Sequence, residues 1–239
     1  MSLNNTNNTI LVGIIVSEKT FSHEMYGEIF YNFNVEVKRL SDEKDIIPVT
    51  ASEVLIDSRF GIGTKILVKG QFRSYNTTEE EKNKLKLTIF AKDIFYNEEV
   101  DEQIKENKEQ TLNQVNLIGY ICKKPIYRET PKGREITDLL LAVNRAYNKS
   151  DYIPAITWGR MARMCKKFEV GTEVSVTGRF QSREYEKKCD NGKTEIKTAY
   201  ELSVMLIEEN VRKEVYALRA ALKTYTVIQT SSMYTTKKH

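Results

Sequence analysis

One pattern occurs twice in this chain. Gly63-Thr64-Lys65-Ile66-Leu67-Val68-Lys69-Gly70-Gln71-Phe72-Arg73-Ser74 returns 108 positions later as Gly171-Thr172-Glu173-Val174-Ser175-Val176-Thr177-Gly178-Arg179-Phe180-Gln181-Ser182. Upstream the spacing is 106: Leu11-Val12-Gly13-Ile14 answers Leu117-Ile118-Gly119-Tyr120, Val37-Lys38-Arg39 answers Val143-Asn144-Arg145, and Ile47-Pro48 answers Ile153-Pro154. Stacked solenoid units run to only about 20 to 50 residues, whereas about 100 residues can bury a core alone. The repeat therefore predicts two whole domains. Copy one spans residues 1–97 and copy two residues 112–210, with an acidic linker at 98–111 and a basic tail at 211–239 that carries a helical pattern at its start.

The alternation within each copy is that of strands. In copy two Val115, Leu117, Gly119 and Ile121 alternate, then Leu139, Leu141 and Val143, then Val174, Val176, Gly178 and Phe180, and lastly Tyr200, Leu202 and Val204. Residues 152–158 add a strand that is apolar on both faces. Before the fourth strand, Met161, Met164, Cys165 and Phe168 recur on one helical face, and Gly171 stops the helix. Pro131-Lys132-Gly133 and Cys189-Asp190-Asn191-Gly192-Lys193 read as turns at hairpin tips. Strand, strand, strand, helix, strand, strand predicts an all-β protein with one short helix per domain, built as two tandem OB-folds. Each is a five-stranded, partly open Greek-key barrel. Copy one reads the same way, with a shorter helical segment near Val54 to Arg59.

Between the copies only Val100 and Ile104 are apolar in residues 97–110, which suggests a polar linker with at most a transient helical turn. Beyond residue 210, Val211, Val215, Leu218 and Leu222 trace a helical stripe ahead of a Thr/Ser-rich end.

Charge divides unevenly. The net charge is −1 over 1–97, −4 over 98–111, +4 over 112–210 and +5 over 211–239. A polyanion is drawn to copy two and the tail rather than to copy one, although a plain solvated surface also accounts for such numbers. No stretch reaches the roughly 18 apolar residues of a membrane span, and the Asn-rich start has no secretory design, so a cytoplasmic protein is expected. Cys122, Cys165 and Cys189 lack the pairing of a disulfide framework or a zinc site and are expected as free thiols. With two histidines, no Ser/His/Asp spacing and no clustered carboxylates, no catalytic residue, metal or cofactor is expected, and the chain is not read as an enzyme.

Chemistry concentrates on the strand faces of copy two. If Val174, Val176, Gly178 and Phe180 point inward, then Ser175, Thr177, Arg179, Gln181, Arg183 and Tyr185 point outward together. The third strand puts Tyr152, Pro154, Ile156 and Trp158 on one face, and the second delivers Arg145 with Tyr147 two residues on. Rings beside guanidinium groups suit a single nucleic-acid strand, because every base offers a π-face at about 1 to 3 kcal/mol while cations follow the phosphates. Arg128 and the arm carrying Lys132 and Arg134 could embrace such a strand, or form an ordinary turn. Aromatics in strands more often fill cores; Phe168 and Phe180 are left there, and Trp158 is ambiguous. Arg160, Arg163, Lys166 and Lys167 read as a solubilising helix face.

Asn113 through Gly119, Asp151 through Ala162 and Gly171 through Tyr185 closely resemble the bacterial single-stranded DNA-binding protein family, over most of residues 112–206. The resemblance implies that Tyr147, Tyr152, Trp158 and Tyr185 occupy the family's four aromatic positions on the DNA surface, and that Arg128 and Arg145 lie along the phosphate path. It implies coating of single-stranded DNA without strong sequence preference, in replication, recombination or repair. Copy one keeps only the scaffold: Ile46, Ser52 and Thr77 stand at the places of Tyr152, Trp158 and Tyr185. Its own Tyr26, Phe30 and Tyr31 are a different site or simply core. The chain ends Lys237-Lys238-His239, without the family's acidic Pro-Phe tip, so recruitment of repair proteins by that route is not supported. Because members gather four OB-folds, a homodimer of this two-domain chain is expected. The alternatives are an accessory OB-fold protein of replication restart, plasmid or phage that acts mainly through protein contacts, or an oligomerisation scaffold with weak DNA binding.

Overall fold

The structure is a computed structural model that describes residues 7–39, 41, 43–79, 82–107, 113–130, 132–188 and 194–210. Period-two burial makes nearly every segment a strand. Copy one contributes β1 (Asn7–Ile15), β2 (Thr20–Met25), β3 (Glu28–Lys38), β4 (Lys44–Ser52), β5 (Lys65–Glu79) and β6 (Lys82–Tyr96). After helix α1 (Glu98–Asn107), copy two repeats the order as β7 (Asn113–Ile121), β8 (Ile126–Glu129), β9 (Glu135–Asn144), β10 (Ser150–Trp158), helix α2 (Gly159–Cys165), β11 (Glu173–Lys188) and β12 (Thr194–Glu209).

Each copy closes into a barrel. β1 pairs antiparallel with both β3 and β5, β3 with β4, and β5 with β6, while β4 meets β6 in parallel. Copy two reproduces this, with β7 against β9 and β11, and β10 parallel to β12. These are the pairings of the OB-fold, so the expected all-β, two-barrel architecture is what the chain adopts. β2 and β8 extend the first hairpin of each copy beyond the five barrel strands anticipated. The repeated glycines have a steric reason. A Cβ on Gly70 would lie 2.4 Å from the Phe90 carbonyl oxygen, and one on Gly178 2.5 Å from that of Ser203, where the fourth strand bends across the fifth.

Three helical expectations change. In place of a helix near Val54 to Arg59, copy one has a single 3-10 turn, Glu53–Leu55, capped by the Ser52 hydroxyl. Residues 98–107 form a full helix, α1, rather than at most a transient turn: Val100 is fully buried with Val12 and Leu67, and Ile104 packs beside it with Ile10 and Phe95. Its two apolar residues are four apart, enough for one buried helical edge, and Glu98, Glu99 and Asp101 in the first turn suit the helix dipole. α2 ends at Cys165, short of the expected stop at Gly171; it buries Ala162 and Cys165, Met161 and Phe168 lie against the core, and Met164, expected on the same face, is 41% exposed. Residues 211–239, including the Val211 to Leu222 stripe, lie outside the described residues, as does Cys189.

The copies are joined along their first strands into one compact unit, Met1–Glu208. β1 and β7 pair antiparallel from Asn7↔Leu117 to Leu11↔Asn113. The central pair is Thr9↔Val115, which are equivalent positions of the repeat, so a local two-fold axis passes between them. Contacts on either side come in matched sets. Asn7 donates through Nδ2 to Phe72 O at 2.7 Å and accepts from Phe72 N through Oδ1 at 2.9 Å, while Asn113 does the same with Phe180 at 2.7 and 3.1 Å. The Phe72 and Phe180 rings are both fully buried and meet each other at the join.

Candidate nucleic-acid interface

The open face of copy two is built on three adjacent strands. Alternation on β10 sends Asp151, Ile153, Ala155 and Thr157 into the barrel and leaves Tyr152, Pro154, Ile156 and Trp158 on the other face. Tyr152 is 48% exposed and Trp158 is half-buried. Register carries the face sideways: Trp158 pairs with Ile136 of β9, and Ile136 with Arg128 of β8. Arg128, Ile136 and Trp158 thus form one cross-strand row, and Ile126, Asp138 and Ile156 the next.

The expected cations fall into different environments. Arg128 is exposed and grips Asp138 through Nε at 2.7 Å and Nη2 at 3.2 Å, which raises its pKa above the ordinary arginine value. Lys132 and Arg134 are exposed at the β8–β9 tip, where Gly133 takes a positive φ. Arg183 is exposed, 3.9 Å from Glu201, with its guanidinium carbon 5.9 Å from the centre of the Tyr185 ring, itself 39% exposed.

The outward row on β11 is less open than alternation suggested. Arg179 is half-buried, its Nε is buried with no hydrogen-bond partner among the described residues, and Gln181 is buried and donates to Glu201 at 2.8 Å. Here β11 lies against β4 of copy one, a neighbour that strand periodicity cannot reveal. Tyr147 falls in the 3-10 turn Ala146–Asn148, and its side chain lies outside the described part of the structure.

Arg145 is placed differently from the rest. Its Nη1 donates at 3.1 Å to Oδ1 of Asp151, a fully buried carboxylate that also accepts the Ser74 amide of copy one at 2.8 Å. The mirror set is Arg39, Asp45 and Ser182: Arg39 Nε donates to Asp45 Oδ2 at 2.7 Å, and the Ser182 amide to Asp45 Oδ1 at 2.7 Å. These two Arg–Asp–Ser clasps were missed in the sequence. Their signal was there, since all three residue types recur at the repeat spacings, Arg39/Arg145, Asp45/Asp151 and Ser74/Ser182.

Copy one presents a different surface at the corresponding place. The exposed His23 imidazole stacks on Phe30 with centroids 4.7 Å apart, Phe30 leans on Phe90, and the Arg73 guanidinium lies 3.8 Å from the Phe90 ring centre. Phe30 is buried and Tyr26 is fully exposed at a positive-φ turn, while Lys19 sits over the Tyr31 ring. Among the described residues no cluster of His, Cys, Asp or Glu could hold a metal ion, and no helix is long and apolar enough to cross a membrane.

The tandem pair of barrels defines the class: a two-OB-fold protein whose second copy exposes Tyr152 and Tyr185 together with Arg128, Lys132, Arg134 and Arg183. Residues 112–207 match the model of the Single-strand binding protein family, and the chain resembles that bacterial family in a two-barrel form. A single-stranded DNA-binding protein of Caldanaerobacter subterraneus subsp. tengcongensis is 37% identical over 87 residues, 34% of this chain and 58% of the relative. Single-stranded DNA-binding protein A of Bacillus subtilis is 37% identical over 84 residues, 32% of this chain and 49% of the relative. The chain thus spans about half the length of the curated relatives it matches. The wild-type single-stranded DNA binding protein of Thermus aquaticus shares the fold at a TM-score of 0.63 and 18% identity, over 86% of this chain and 93% of that one.

Proposed function

We propose that the chain binds single-stranded DNA without strong sequence preference, by stacking bases on copy two and neutralising phosphates beside them. The observation that carries this reading is the outward face of β10, where Tyr152 is exposed and Trp158 half-buried on the same side of the strand, with the exposed Arg128 in the Trp158 row. A splayed strand offers its bases to such a face and its phosphates to Lys132, Arg134 and Arg183 at the rims, whereas duplex bases are already stacked on each other. The match of residues 112–207 to the Single-strand binding protein family model, and two relatives 37% identical over 87 and 84 residues whose names give single-stranded DNA binding, support the same reading. No bond is made or broken in it, and the work is coating of exposed strands in replication, recombination or repair.

The test uses Trp158, the only tryptophan in the chain. Titration of the full chain with oligo-dT quenches its fluorescence, with an affinity that falls as salt rises and with little response to duplex of the same length. Equal quenching by duplex, or none by oligo-dT, overturns the reading.

The assembly is proposed as a homodimer of four barrels. Val12 and Leu67 are covered by α1, but their copy-two counterparts Ile118 and Ser175 line a groove with Leu206, which is 52% exposed, and with the polar Asn116, Thr177 and Glu208. A groove of mixed lining at this place suits a second copy of the chain. Light scattering that gives the mass of one chain across micromolar concentrations rejects the dimer.

A further inference from the structure

Ser74 belongs to β5 of copy one, yet both its amide and its hydroxyl are bonded to copy two. The amide donates to Asp151 Oδ1 at 2.8 Å, and the hydroxyl accepts the Tyr152 amide at 2.8 Å. Asp151 and Tyr152 are neighbours on β10, one pointing into the barrel and fully buried, the other pointing out and half exposed. The backbone that sets the direction of the Tyr152 ring is therefore held by a residue 78 positions earlier in the chain.

The join supplies its own comparison. Ser182 makes the matching bonds to copy one: its amide donates to Asp45 Oδ1 at 2.7 Å, and its hydroxyl accepts the Ile46 amide at 3.0 Å. The anchoring chemistry is the same on both sides. What differs is the side chain that follows the buried aspartate, tyrosine in copy two and isoleucine in copy one.

We propose that Ser74 is a positioning residue for Tyr152, so that copy one fixes the orientation of a stacking ring in copy two. This rests on the reading of Tyr152 as a base platform. A ring already held in its bound direction gives up little freedom when a base stacks on it, and loosening its backbone costs affinity at the ring without removing any atom that touches DNA. Copy one thereby takes part in binding through the join rather than through its own face.

The experiment measures how much Tyr152→Ala weakens binding of a fluorescein-labelled oligo-dT in three full-length backgrounds: unaltered, Ser74→Ala and Ser182→Ala. Ser74→Ala alone is expected to weaken binding about threefold to tenfold, the equivalent of roughly one lost hydrogen bond. In the unaltered and Ser182→Ala backgrounds Tyr152→Ala keeps its full effect, and in Ser74→Ala most of that effect is already gone. Both serine variants lower the unfolding midpoint, so a merely structural role predicts no such difference between them. Ser74→Thr, which keeps the hydroxyl, restores affinity and stands in if the alanine variant folds poorly. An equal Tyr152→Ala effect in all three backgrounds overturns the positioning role and leaves the stacking reading intact. No effect in the unaltered chain overturns the base-platform reading of Tyr152, and the positioning role with it.

Discussion

Phe72 and Phe180 stand 108 positions apart at the same place in the repeat, and their ring centroids lie 4.3 Å apart at an interplanar angle of 43°. Each ring is fully buried, each belongs to the core of its own barrel, and each completes the core of the other. The two barrels consequently share one hydrophobic interior, and the local axis between Thr9 and Val115 relates its halves. Separate domains that merely touch would not place their largest side chains against each other.

Replacing Phe72 or Phe180 by alanine is expected to destabilise the protein by about 3 to 5 kcal/mol, through lost burial plus the cavity left at the join. Because the core is continuous, calorimetry should give one unfolding transition for residues of both copies in the unaltered chain. Two well-separated transitions would contradict a shared core.

On the proposed DNA face, Tyr152→Ala, Trp158→Ala and Tyr185→Ala should each weaken oligo-dT binding by about 1 to 3 kcal/mol with circular dichroism unchanged. Tyr75→Ala, at an exposed ring of copy one, should cost less. Fluorescence anisotropy of a labelled oligonucleotide serves for all four, including the variant without tryptophan.

Arg145 and Lys132 should separate by phenotype. Lys132 is exposed at a hairpin tip, so Lys132→Ala should lower the salt slope of log affinity by up to about 0.7 and leave stability alone. Arg145→Ala removes a partner of the buried Asp151 carboxylate and should lower stability by on the order of 1 to 3 kcal/mol, whatever it does to the slope. Thermal melts beside salt titrations distinguish the two.

Thr9 offers a gain. Its hydroxyl oxygen is buried with no hydrogen-bond partner among the described residues, while the symmetry-related residue is Val115. Thr9→Val should stabilise the chain by about 1 kcal/mol, since it removes an unpaired polar group and keeps the side-chain shape. An unchanged or lowered melting midpoint would count against the packing at the axis.

Burial pushes the Cys165 thiol up to about 11. The folded state therefore holds this proton more tightly than the unfolded chain. The associated stability is complete below the ordinary thiol value near 9 and is lost as pH rises toward 11. Alkaline melts of Cys165→Ala against the unaltered chain check this, the variant having a shallower fall in midpoint over that window.

The scaffold was legible in the sequence because barrel strands announce themselves locally. Leu139, Leu141 and Val143 alternate whatever they later touch, and Gly70 and Gly178 recur because a Cβ cannot fit. The face of β10 was legible for the same reason. What stayed hidden depends on neighbours remote in sequence. Gln181 reads as outward on β11, yet it is buried where that strand lies against β4, and Arg145 reads as a free cation until Asp151 and Ser74 are seen around it. Residues 98–107 look like a linker because two apolar side chains are few, and only the Val12 and Leu67 surface makes them sufficient.

The covalent tie between β1 and β7 also changes how the two barrels can evolve. In a pair of identical one-barrel chains, any substitution appears in both partners at once, so a residue needed on one side cannot be given up on the other. Here one reading frame encodes both sides of the Asn7–Leu11 and Asn113–Leu117 ladder, and each side varies independently. The replacement of Trp158 and Tyr152 by Ser52 and Ile46 in copy one is the kind of divergence this arrangement permits, and no unequal partners need to be sorted from a mixed pool.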